Sequence, residues 1–339
     1  MTAISLEAAC APYRSLAIAG MAKNAGKTTA LNYLIARFAA AGDKLGLSSI
    51  GRDGEAIDQI TNRPKPRIHP PVGTLVATSH ESALYSQATL RRIATTSYRT
   101  ALGPVGIYEV LGPGYVEVAG PVKVNEAAAL VRQLVALGCT RVLLDGAADR
   151  RAFVSAGVEA FVLSSGLAVA PDPAAAAAET AAVLARLQLP APPGAWRAQL
   201  DDLDSPGALG PSGWHAWVHE SFLSGLDAFA SWLPPDAEAI YVPGAFGDGL
   251  AEALLTQEKP LGVVLPAGTH LLVARPLLER LVRRGYRFYA LRPLRAVAVT
   301  VNPTSPDGAR VAPDVLLEAF ARVFPDLPII DVAQTAGPH

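Results

Sequence analysis

The clearest chemistry in the chain lies in Gly20-Met21-Ala22-Lys23-Asn24-Ala25-Gly26-Lys27-Thr28-Thr29. Backbone N–H groups of a glycine-bounded loop and of the helix that follows it converge on one point and attract anions. Lys27 adds a full positive charge, and the Thr28 hydroxyl can join a Mg²⁺ shell. Gly20, Lys23, Asn24, Ala25, Gly26, Lys27, Thr28 and Thr29 are therefore the expected polyphosphate cradle, with Lys27 also expected to act in catalysis. The usual spacing would place the first glycine at position 21, which is Met21, so this loop is one residue longer. Lys23 stands where it either reaches across a dimer or is a solvated loop lysine.

A polyphosphate with Mg²⁺ needs carboxylates. Asp53, just past a second apolar run, can hold Mg²⁺ or orient an attacking water; equally, Asp53-Gly54 is turn chemistry. Arg141-Val-Leu-Leu-Asp145-Gly146 ends an apolar strand on an acid, the usual second half of such a site. Glu117, also at a strand end, is the rival. A buried carboxylate without a cation would be costly. Thr28, Asp53, Glu117 and Asp145 thus form the candidate metal set. Arg63 to Pro71 is a stiff basic stretch, either a lid or an exposed linker. Asp149, Arg150 and Arg151 either sense the γ-phosphate or belong to a solvated loop.

These residues must be held by a strand at Leu16–Ala19, a helix at about Lys27–Ala41, and strands at Leu45–Ile50, Gly73–Ala77, Val105–Val110, Tyr115–Ala119, Arg141–Gly146 and Ala160–Leu163. A helix is expected over about Glu81–Ile93, another from Asn125 or Glu126 to Gly138, and a third capped by Asp172. Such alternation predicts an α/β fold, a mostly parallel sheet with helices on both faces. The expected organisation is a nucleotide-binding domain over 1–190, a Trp/Pro-rich connector over 191–236, and a smaller α/β domain over 237–339 without its own phosphate loop. Trp196, Trp214, Trp217 and Trp232 all fall in the middle segment; clustered aromatics there cover a core more readily than they form an interface. If this stretch is a helix, His215 and His219 share one of its faces and could bind metal, but without a third ligand they read as a surface pair. Asn302, at a strand end before Pro303, either reads a base or other ligand or is a turn asparagine, the turn being favoured.

The 339 residues carry a net charge of −1, and basic residues do not cluster, which argues against nucleic-acid partners. Half the residues are apolar, yet no run is long enough to span a membrane. Cys10 and Cys139 show neither disulfide nor metal spacing, and the start lacks a basic leader; a reduced, cytoplasmic protein is expected.

No lysine is followed two residues later by Asp, so the guanine-reading Asn/Thr-Lys-x-Asp element is missing and ATP with Mg²⁺ is favoured. The extended loop resembles that of dethiobiotin synthetase and the cobyrinate amide synthases, in the branch that holds the MinD/ParA ATPases. Those ATPases carry an extra lysine at the position of Ala22. Gly20 to Asn32, Ser49 to Glu55, Pro64 to Ile68, Leu144 to Arg150, Val242 to Ala245 and Val301 to Pro303 together resemble the P-loop subunit of the lysine aminomutase reactivases. That resemblance implies an ATP-dependent helper working with a MutS-like ATPase subunit. Its client would be an adenosylcobalamin- and pyridoxal-phosphate-dependent aminomutase, from which damaged cofactor is released. The chain has no Asp-x-His-x-x-Gly cobalamin motif. A dethiobiotin-synthetase-like ligase and a nucleotide-binding adaptor of the molybdopterin-guanine-dinucleotide type are the alternatives.

Overall fold

The computed structural model describes residues 4–50, 67–121, 123–147, 157–201 and 203–335. Asp53, the start of the basic connector (Arg63 to Pro66), Asp149, Arg150 and Arg151 lie outside them.

The protein is α/β, with a nine-stranded, mostly parallel mixed sheet and a smaller five-stranded mixed sheet with helices. The chain divides into two compact units, Met1–Leu184 with Arg295–His339, and Ala185–Leu294. In the first, the strands are β1 (Ser15–Gly20), β2 (Leu45–Ser49), β3 (Leu75–Ser79), β4 (Leu90–Thr100), β5 (Gly103–Val110), β6 (Arg141–Ala147) and β7 (Ala160–Gly166). The second holds β8 (Gly207–Gly210), β9 (Gly213–Ala216), β10 (Ala239–Tyr241), β11 (Gly262–Leu265) and β12 (Arg287–Ala290). Then β13 (Ala296–Asn302) and β14 (Ile329–Ile330) return to the first. The large sheet runs β14-β13-β7-β1-β6-β2-β3-β5-β4.

β1 lies between β6 and β7, parallel to both. Its continuous apolar run suits a strand buried on both faces, and Leu16 to Ala19 are wholly inaccessible. The helices of this unit include α1 (Leu6–Cys10), α2 (Lys27–Ala40), α3 (His80–Tyr85), α4 (Val124–Ala136) and α5 (Pro173–Leu187). α2 buries Ala30, Leu31, Leu34, Ile35 and Phe38, in one apolar cluster with Leu16 and Ile18 of β1. It stops in a left-handed Gly42, whose N–H donates to Ala39 O while Asp43 N–H donates to Phe38 O. That pairing satisfies carbonyls a helix end leaves open. Asp172 caps α5, its Oδ2 accepting from Ala175 N at 2.8 Å.

Three expectations differ from what is found. The helix expected over Glu81–Ile93 stops at Tyr85, and Leu90–Thr100 is strand β4 paired antiparallel with β5. The alternation of Thr96, Tyr98 and Thr100 with exposed neighbours fits a pleated edge better than a helix face. Tyr115–Ala119 forms no strand in the sheet; one isolated bridge joins Val116 to Ile68. The segment instead crosses the ends of β2 and β3 through hydroxyls. Ser49 Oγ donates to Val118 O and accepts from Gly120 N, and Thr78 Oγ1 donates to Glu117 O and accepts from Ala119 N. Third, the division expected at 190 and 236 is not the one found. β13 pairs with β7, and β14 with β13, because β7 is buried along its whole length and needs a neighbour on each side. Residues 191–236, expected to be a connector, contribute β8 and β9 to the small sheet.

Within Ala185–Leu294, β10, β11 and β12 run parallel and β8 and β9 antiparallel. Trp217 is buried with Phe222, Phe229 and Phe246 in the core of this unit. His215 lies in β9 rather than in a helix, and His219 meets the Trp217 ring edge-on at 5.6 Å. Among the described residues no helix is long and apolar enough to cross a membrane.

Cys10 and Cys139 are buried free thiols, and burial pushes them up to about 12 and about 11 from an ordinary 9.0. The folded state therefore binds these protons more tightly than the unfolded chain does. Their contribution to stability is complete below pH 9 and is lost as pH rises toward 12. Urea denaturation is expected to show stability falling above pH 9, with a shallower fall in Cys10→Ala.

Candidate functional site

The parallel register sets Ile18 of β1 beside Asp145 of β6, and Ser49 of β2 on the other side of Asp145. Parallel neighbours end at the same sheet edge, where an open α/β sheet binds its ligands. The loop after β1 opens on that edge. Met21 N–H donates to Ser164 O at the end of β7, at 3.0 Å. Asn24 is left-handed at φ 65°, alone among the described non-glycine residues, and Gly26 is left-handed at φ 91°. Asparagine tolerates this conformation through its short polar side chain, and glycine enters it without penalty.

Gly26 is the N-cap of α2 and supplies no capping side chain. The first N–H groups of a helix have no partner inside it. Those of Lys27, Thr28 and Thr29 thus join the positive end of a helix 14 residues long. Gly20 leaves space for the lysine: a Cβ there would stand 3.3 Å from Lys27 Cβ and 3.5 Å from Cδ. Thr28 is half-buried in the first turn, Ala25 is buried, and Lys23 and Thr29 are exposed.

Lys27 Nζ lies 2.7 Å from Asp145 Oδ1. The Asp145 side chain is only 11% exposed and that of Lys27 28%. Among the described residues Oδ1 nevertheless has no hydrogen-bond partner, because the ammonium approaches it outside hydrogen-bond geometry. The short separation decides the energetics, since charge attraction does not require that alignment. An acceptor direction on a buried carboxylate is left open. The structure thus brings Lys27 and Asp145 together directly, beside the loop Gly20–Gly26.

Glu117 is placed differently. Its side chain is exposed, on the segment that crosses β2 and β3, and its N–H donates to Ser86 Oγ at 3.0 Å. Among the described residues no three His, Cys, Asp or Glu side chains gather as a metal cluster. Asp53 lies outside the described residues. Arg67, the first described residue of the basic connector, stacks its guanidinium 4.0 Å from the Tyr115 ring centroid. Asn32 of α2 fastens the same stretch, donating to Arg67 O and accepting from His69 N.

Asn302 belongs to the same edge. Its Nδ2 donates to Asn24 O at 2.8 Å, and its Oδ1 accepts from Thr304 N at 3.1 Å. Its strand-end position before proline was visible in the sequence, but its loop partner, 278 residues away, was not. The Ser164–Thr300 and Ser165–Thr180 hydroxyl pairs, 2.8 and 2.7 Å apart, join β7 to β13 and to α5 just below. In the sequence Ser164-Ser165-Gly166 only follows the apolar run Ala160–Leu163, and nothing local pairs it with Thr180 or Thr300.

Removing one partner of the Lys27–Asp145 pair leaves a mostly buried charge unmatched. Lys27→Ala is expected to lower the stability of the protein by about 1–3 kcal/mol, less than for a fully buried pair because Lys27 remains partly solvated. Lys27→Ala combined with Asp145→Asn is expected to recover part of that loss, read as a coupling energy in urea denaturation.

In comparisons with known proteins, no family model, no curated protein and no solved structure matches this chain.

Proposed function

We propose that the chain is an ATP-dependent P-loop nucleoside triphosphatase. The observation that carries the reading is the Lys27–Asp145 contact of 2.7 Å beside a helix start with no side-chain cap. Asp145 is, on this reading, the counter-ion of Lys27 until a phosphate replaces it. On this reading the loop N–H groups and Lys27 hold the polyphosphate, with Lys27 turning from Asp145 to the phosphate oxygens. Its ammonium then stabilises charge that develops during phosphoryl transfer.

Mg²⁺ fits the residues present. Asp145 Oδ1 is buried and has, among the described residues, an unused acceptor direction, and Thr28 stands in the first turn of α2. A hard cation of this kind takes one or two protein oxygens, with phosphates and waters completing its shell. Thr28 and Asp145 would hold it, and it would supply neutralisation of the polyphosphate charge. Asp53 is assigned to orient the attacking water from its place in the sequence.

The resemblance to the lysine aminomutase reactivases extends this to a role. The chain would couple ATP hydrolysis to release of damaged cofactor from an adenosylcobalamin-dependent aminomutase, together with a MutS-like ATPase subunit. Neither a membrane nor nucleic acid enters this proposal.

Without a divalent ion, Asp145 would repel the polyphosphate that displaces it from Lys27. Titration calorimetry is expected to show ATP affinity at least about tenfold weaker in EDTA than with Mg²⁺, the equivalent of about 1.4 kcal/mol. Asp145→Asn should narrow that gap, and Lys27→Ala should abolish binding. Asp53→Asn should spare binding and slow turnover. ADP production should accelerate when inactivated aminomutase and the MutS-like subunit are added. An equal rate without client would exclude the coupling, and ADP release strictly dependent on a small carboxylic acid would point to a ligase instead.

A further inference from the structure

The loop that carries the proposed site is held by a residue from the far end of the chain. Asn302 ends β13, two strands away from β1 in the sheet order β13-β7-β1. Its backbone closes on β7: Leu167 N–H donates to Asn302 O at 3.1 Å. Gly166, left-handed at φ 126°, allows this approach, because a Cβ there would collide with the Asn302 carbonyl. From this pinned backbone the Asn302 side chain reaches the loop after β1. A Cβ on Gly26 would stand 3.6 Å from Asn302 Cβ, so the side chain lies against the loop.

The amide is oriented by both of its partners. Oδ1 faces the Thr304 N–H and Nδ2 faces the Asn24 carbonyl. The flipped amide would set oxygen against oxygen and N–H against N–H, so only one orientation satisfies both contacts. Asn24 is the left-handed residue at which the loop reverses. A non-glycine residue there persists only where its surroundings hold it.

We propose that Asn302 is a positioning residue for the phosphate loop, fixing the left-handed bend at Asn24 through its carbonyl so that the loop amides converge before any ligand arrives. The inference rests on the phosphate-site reading and assigns Asn302 to the loop rather than to the base. Asn302 acts on the polyphosphate cradle alone. Its loss must therefore weaken every ligand that carries the same phosphates by the same factor, whatever base is attached.

Asn302→Asp isolates the contact, since it keeps the oxygen that Thr304 N–H needs and turns the donor facing Asn24 O into a second acceptor. Affinity for Mg-ATP, Mg-GTP and Mg-tripolyphosphate is expected to fall about tenfold or more, and by a common factor, from the loss of one hydrogen bond and the juxtaposed acceptors. In the nucleotide-free protein, amide hydrogen exchange should quicken at Met21–Gly26 and stay unchanged in α4. If Asn302→Asp does not fold, Asn302→Ala removes the donor without adding a charge and carries the same expectations. The proposal is overturned if affinity and loop exchange both stay at wild-type values, or if ATP weakens while tripolyphosphate does not, which would make Asn302 a base reader. Wild-type protein that binds none of the three probes would overturn the phosphate-site reading. Loop exchange in the variant would then still decide whether Asn302 fixes the bend.

Discussion

A buried carboxylate and a lysine, 2.7 Å apart at the end of the central strands, are the constraint around which the large sheet is arranged. Asp145 is nearly enclosed, with β1 on one side and β2 on the other. Such a charge is costly without a cation beside it, and Lys27, at the start of the helix that follows β1, is that cation. The pair therefore fixes two things together. β6 must end level with β1, and α2 must begin close enough to that edge for its first side chain to turn back. Both conditions follow from a parallel pairing and a short loop that ends in a left-handed glycine.

The surrounding edge is built from polar groups that would be liabilities elsewhere. Ser48, Ser49, Thr78, Ser164, Ser165 and Thr300 are all buried, and each hydroxyl has a partner within the chain. On one side they stitch the segment through Glu117 and Gly120 to β2 and β3. On the other they tie β7 to β13 and α5. Satisfied networks of this kind hold geometry more narrowly than apolar packing, because each bond specifies a direction as well as a distance. The loop after β1 is thus suspended between two cross-braced sections of one sheet, joined to the second by Met21 and Asn24.

The loop, α2 and the strand leading to Asp145 were legible in the sequence because each is a local pattern. An apolar run, glycines at turn positions and helical spacing at Ala30, Leu31, Leu34, Ile35 and Phe38 need no distant partner to be recognised. β4 was harder. Leu90-Arg-Arg-Ile93 continues a helical pattern when read alone, and pairing with β5 decides in favour of the strand. The run Tyr115–Ala119 has strand composition, yet hydroxyls on neighbouring strands take the bonds a ladder would use.

From the residues alone came the chemistry on offer: a glycine-bounded loop, a lysine, a threonine and several carboxylates at strand ends. Which carboxylate meets the lysine was a question of strand order, and strand order is set by which buried edges find partners. Asp145 is beside Lys27 because β6 pairs with β1, whereas Glu117 is exposed on a crossing segment. Likewise β13 joins the first sheet although 110 residues of another unit, Ala185–Leu294, precede it. Periodicity reports the face a residue buries but not the strand it neighbours, so the long-range contacts of Asp145 and Asn302 emerged only once the chain had closed on itself.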